Sequence, residues 1–188
     1  MDRSHYLEAR KMLPKMPEEI FKLWLDGRIR SNGWPPSGTN WQRALRNKPI
    51  NFWQKLDWNK RIIALRFEIF TEATKNIIRE LIDARFFGKA NSCSDIKGSS
   101  ERMSKIIEYI EENNALPGHL ILMKDGKFYE IVDGCHRLAA FFKLKVKINI
   151  KDNLEVWMGF IMGSQGSVLN LNRDQVPERN QKRFKIRK

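Results

Sequence analysis

Residues 128–142, Phe128-Tyr129-Glu130-Ile131-Val132-Asp133-Gly134-Cys135-His136-Arg137-Leu138-Ala139-Ala140-Phe141-Phe142, read as a strand, a sharp polar elbow and a helix. Phe128 to Val132 is short and rich in aromatic and β-branched residues. It follows Asp125-Gly126, so Leu120 to Val132 reads as a hairpin with a two-residue turn. Asp133 is a good helix N-cap, and Gly134 can take a backbone conformation that other residues resist. Leu138, Ala139, Phe141 and Phe142 then supply the apolar face of a helix that begins at the elbow.

The first N–H groups of such a helix have no partner within it and carry the positive end of its dipole, which favours a bound anion such as a phosphate. Arg137 adds a planar fork suited to phosphate oxygens, and a nearby anion would favour the charged form of His136. Cys135 lies in the same field, which favours a reactive thiolate. Each residue alone has an ordinary role, the Gly as architecture, the Cys as a small buried apolar group, the His as a satisfied side chain. Four of them in one helical turn point to a site.

Asp133-Gly134-Cys135-His136-Arg137 followed by Leu138-Ala139-Ala140 resembles the signature of the ParB/sulfiredoxin superfamily, whose sulfiredoxins carry Gly-Cys-His-Arg at this elbow. The similarity runs from a helix beginning near Ser100, through the hairpin and motif helix, to Asn153-Leu154-Glu155-Val156-Trp157-Met158-Gly159, about 60 residues. The sequence departs from sulfiredoxins at Asp133, where a second Gly is usual, and in its long N-terminal extension.

The resemblance implies an α/β domain that binds ATP or CTP, with Mg2+, through Gly134, His136 and Arg137. A basic residue on the preceding helix assists in that family; by position this is Arg102, with Lys105 and Tyr109 one and two turns on. Catalytic roles would fall to Cys135, His136 and Arg137, with Glu130 and Asp133 the nearest carboxylates for positioning metal or water.

The net charge of +13 creates a field that attracts nucleic acid, anionic lipid or acidic proteins. Cys93 and Cys135 are the only cysteines, too few for a disulfide framework and without the spacing of a zinc site. No structural metal is implied. The start Met-Asp-Arg-Ser-His lacks the apolar core of a signal peptide, and no run approaches the ~18 apolar residues of a membrane span. A cytoplasmic location is expected, with the basic surface able to attach peripherally to the inner membrane.

The expected fold class is α+β: a helical, basic, Trp-rich N-terminal region over 1–95, a ParB/sulfiredoxin-like nucleotide-binding domain over 96–163, and a basic tail over 164–188. Pro17 opens a helix to about Asp26, with Ile20, Phe21, Trp24 and Leu25 on one face. Gly27 to Gly38 reads as a loop, and Asn40 as the cap of a short helix through Asn47. Between Arg43 and Arg66, Arg43, Arg46, Lys48, Lys55, Lys60, Arg61 and Arg66 face one acidic residue, Asp57. Phe52, Trp53 and Trp58 interleave with them. Such cations pair with nucleic-acid phosphates and such rings stack on exposed bases, although tryptophans in small helical domains mostly pack inside.

Asn59 to Phe87 reads as a long helical stretch, with Glu68 and Glu72 one turn apart as a weak divalent-ion pair. Gly88 to Ser99 marks the domain boundary, and Ser99 or Ser100 caps a helix that ends before Pro117. Lys145 to Ile150 alternates like a strand, and Asn153 caps a last helix to about Met162. The tail holds Lys182, Arg183 and Lys185, which could wrap an anionic partner.

Several functions remain open. One is a nucleotide-binding, ATP-hydrolysing, DNA-directed enzyme, a DNase, like the small plasmid-borne fertility-inhibition members of the superfamily that block conjugative DNA transfer. Its partners would be DNA, a nucleoside triphosphate and a protein of a conjugative or secretion apparatus. A second is a sulfiredoxin-like, ATP-dependent cysteine sulfinic acid reductase using Cys135. A third, a CTP-using partition clamp, needs a helix-turn-helix that is not seen after the motif. A fourth is a charge-driven, non-enzymatic binding protein.

Overall fold

The computed structural model describes residues 3–87 and 96–161. Its helices surround a four-stranded mixed sheet, so the chain combines α and β structure as expected. The sheet is built from β1 (Leu56–Ala64), β2 (Leu120–Asp125), β3 (Phe128–Asp133) and β4 (Asn153–Ile161), in the order β1-β4-β2-β3. β2 and β3 form the predicted hairpin, with Asp125 paired to Phe128 and Gly126 at φ +57° in the turn.

β4 occupies the middle of the sheet, antiparallel to β1 and parallel to β2. It had been read as a helix from its Asn cap. Its side chains instead alternate, Leu154, Val156, Met158 and Phe160 toward one core and Trp157 toward the other. A central strand covered on both faces carries a nearly continuous apolar run, and that hides the period of two.

β1 corrects a second expectation, since residues 56–64 lie within the stretch read as helical. The N-terminal region is therefore not all helical, and one sheet draws strands from both sides of residue 95. Trp58, Ile62 and Ile63 suit a pleated surface, and the strand exists because β4 is there to pair with it. The Trp58 ring lies flat on Gly159, where a Cβ would come within 2.9 Å of it. Lys145 to Ile150, read as a strand, is instead a turn held by Lys147 N–H and Ile148 N–H donating to the Leu144 carbonyl.

One face of the sheet is covered by the N-terminal helices: α1 (Arg3–Met12), α2 (Glu18–Ile20), a π-helical stretch over Phe21–Asp26, α3 (Gly27–Asn32), α4 (Gly38–Ala44) and α5 (Ile50–Gln54). The helix begun at Glu18 thus runs on to Asn32, through residues read as loop. Trp24, Trp41 and Trp53 pack in this core against Ile121, Met123 and Val132, with Trp53 only 1% exposed. The rings proposed for base stacking are spent here, Phe52 and Trp58 included.

The opposite face is covered by α6 (Glu72–Phe87), α7 (Ile96–Asn113) and α8 (Cys135–Leu144). Their core includes Ile78, Met103, Ile110, Leu138 and Phe141 against Leu120, Leu122, Ile131 and Val156. Sheet and two helical layers together make three layers. Glu72 pairs with Lys75 at 2.7 Å, and Glu68 lies in a separate 3-10 turn, so they form no ion pair site.

β3 would be an open edge, but residues 70–74 close it. Thr71 N–H donates to the Tyr129 carbonyl at 3.0 Å, and the fully buried Thr74 hydroxyl accepts the Ile131 N–H at 3.0 Å. This seal fixes the strand that delivers the elbow.

Candidate functional site

The elbow forms where sequence reading places it. Gly134 takes φ +96°, ψ +22° and precedes the first turn of α8, with its carbonyl accepting the Leu138 N–H at 2.9 Å. Gly134 itself is the N-cap. Asp133 makes no capping bond, contrary to expectation, and ends β3 instead. Its carboxylate accepts from Arg137 Nη2 at 2.8 Å, while Arg137 Nη1 donates to the Pro117 carbonyl at 3.1 Å.

Arg137 is therefore a clamp as much as a fork. Its side chain is 14% exposed and lies across Gly134 and Gly118, where added Cβ atoms would meet its nitrogens at 3.0 and 3.2 Å. Its charge is largely answered by Asp133. The ion pair and the carbonyl bond hold the strand end, the elbow and the loop before β2 in one arrangement.

Arg46, expected among nucleic-acid contacts, follows α4 and turns inward. Its Nη2 donates to the Val132 carbonyl at 3.1 Å and to Cys135 Sγ at 3.0 Å, and its Nε is buried without a hydrogen-bond partner. The backbone supports this reach: Arg46 and Asn47 take φ +52° and +55°, conformations uncommon outside Gly. Arg28, on α3, arrives at the same place, and no sequence signal marks it.

A pocket of about 330 Å3 results, lined by Arg28, Arg46, Arg102, Ile106 and Val132 together with residues 133–137. Arg102 stands where the resemblance put the assisting basic residue. Lys105 and Tyr109 lie further along α7, exposed and outside the lining. Among the described residues the guanidinium groups of Arg28 and Arg102 have no carboxylate partner, so three cationic charges are concentrated around the N-terminal turn of α8. A multivalent anion is the natural occupant of such a field.

His136 titrates below its ordinary value, chiefly because it is partly buried and further because Arg102 is near; Asp133 opposes both. It is thus neutral near pH 7. Stability from this group is fully present above pH 6.5, where the unfolded imidazole is also neutral, and is lost as pH falls through the folded value. His136→Gln is expected to flatten the fall of Tm between about pH 7 and pH 5. Thermal unfolding of both proteins across that range checks it, and parallel slopes would contradict the assignment.

Glu130 lies outside the pocket lining, one residue pair back along β3. Burial pushes its carboxyl up, against the pull of Lys48 and Arg46. Arg43, Lys55 and Arg61 are exposed, as a nucleic-acid surface requires. Lys60 is exposed too, but it pairs with Glu19 at 3.2 Å and Glu155 at 3.5 Å, beside His119, which bridges the same two carboxylates. Lys182, Arg183 and Lys185 lie outside the described residues.

Among the described residues no group of three or more His, Cys, Asp or Glu side chains is arranged to hold a metal. The donor set at the elbow does not fit a protein-held Mg2+, since its one carboxylate, Asp133, is committed to Arg137. No helix among the described residues is long and apolar enough to cross a membrane. No protein-family model, curated protein or solved structure matches the chain.

Proposed function

We propose that the elbow binds the phosphates of a nucleoside triphosphate, and that the chain is an ATP-hydrolysing, DNA-directed enzyme of ParB/sulfiredoxin type. The observation that carries this reading is the convergence of Arg28, Arg46 and Arg102, from three separate segments, on the first turn of α8. The N–H groups of that turn and the three guanidinium groups would neutralise the negative charge of a transferring phosphoryl group. Arg137 and Asp133 keep the turn in shape. The net charge of +13 supports DNA as the macromolecular target, as in plasmid-borne members that block conjugative transfer.

The sulfiredoxin-like reading is favoured by one contact, the 3.0 Å approach of Arg46 Nη2 to Cys135 Sγ. Nucleotide turnover and plasmid degradation with added Mg2+, run for wild type, Cys135→Ala and Arg102→Ala, separate the two. Loss of both activities in Arg102→Ala, with Cys135→Ala active, is the expected outcome. Activity lost on removing the thiol would favour the reductase. Wild type inert toward both substrates would sink the enzyme proposed first.

A further inference from the structure

We infer that the pocket recognises an oligophosphate chain through its phosphates alone and is indifferent to the base attached to it. The inference rests on the proposed phosphate-binding role and names what that site selects. Its lining is dominated by Arg28, Arg46, Arg102 and Arg137, and its apolar contribution is two aliphatic side chains, Ile106 and Val132. Bases are held by stacking on aromatic rings and by hydrogen bonds to their edges. No Phe, Tyr or Trp side chain among the described residues lines this pocket.

The tryptophan rings of the N-terminal half are committed elsewhere. Trp24, Trp34, Trp41 and Trp53 are buried in the core beneath the N-terminal helices, and Trp58 packs on Gly159. A larger cleft of about 630 Å3 does include Trp41, Pro35 and Pro36, but it shares no lining residue with the arginine pocket. At about 330 Å3 the arginine pocket lies at the low end of the ~300–1,000 Å3 of small-molecule sites.

Among the described residues Arg28, Arg46 and Arg102 form no ion pair with a carboxylate, and three such guanidinium groups match the charge of a triphosphate better than that of a monophosphate. Affinity should therefore follow phosphate number and salt concentration, and ignore the nucleobase.

The test is competition binding by the full chain in magnesium-free buffer, with ATP, GTP, CTP and inorganic tripolyphosphate as ligands and AMP as the low-charge control. Agreement of all four triphosphate-bearing ligands within tenfold, with AMP more than tenfold weaker, is expected. Arg102→Ala should weaken all four by a similar factor. A preference of more than tenfold for one base, or for ATP over tripolyphosphate, would overturn the inference and leave nucleotide binding standing. Binding of none of them would remove the phosphate-binding reading itself, and the inference with it.

Discussion

Replacing Arg46 by Gly is expected to weaken triphosphate binding by roughly ten- to a hundredfold, the range of one charge-assisted hydrogen bond at ~1.5–3 kcal/mol. The side chain lies in the anion pocket, is held by the Val132 carbonyl and Cys135 Sγ, and brings one of the cationic charges that line it. Gly is the informative substitute because residue 46 sits at φ +52°, where Gly is at ease and a side chain is not. Backbone relief then offsets part of the lost packing, and a binding defect cannot be dismissed as misfolding. Calorimetric titration and a Tm on the same sample decide the matter. Unchanged affinity would mean that Arg46 serves the architecture of the elbow only.

Gly134→Ala should be strongly destabilising. The residue sits at φ +96°, strain that costs ~1–3 kcal/mol for any side chain, and its Cβ would stand 2.7 Å from Leu120 Cδ2 in the core. Overpacking adds ~1–3 kcal/mol, since Leu120 is buried among packed neighbours. The sum, roughly 2–6 kcal/mol, corresponds to a fall in Tm of about 4–24 °C at ~2–4 °C per kcal/mol for a chain of this size. Gly126→Ala is the matched control. It too has positive φ, at +57°, but nothing within 4 Å of the added carbon. Equal losses at the two positions would show that strain alone matters and that the contact with Leu120 relaxes freely.

These two positions also mark what could be read from sequence. Gly134 was legible because every signal around it is local: the short strand, the break, and the apolar spacing of α8 all fall within fifteen residues. Arg46 was not. Its partners Val132 and Cys135 lie 86 and 89 residues away, and in sequence it resembles any other cation in a basic run. The same distance hid β1 and β4, each a strand because the other is present. Trp58 and Trp157 mimicked helical or ligand-facing positions until the sheet gave them two faces. Lys145 to Ile150 failed in the opposite sense, with a local alternation that no neighbouring strand was placed to use.

The central place of β4 also governs the order of events during synthesis. Residue 56 waits for residue 161 and residue 64 for residue 153 before their backbone groups are paired. While the ribosome is still working toward residue 153, β1 and the β2–β3 hairpin each present a bare edge with nothing between them. A nascent chain in that state is a sticky half-product, and closure comes only when the last of these four strands slides into the gap.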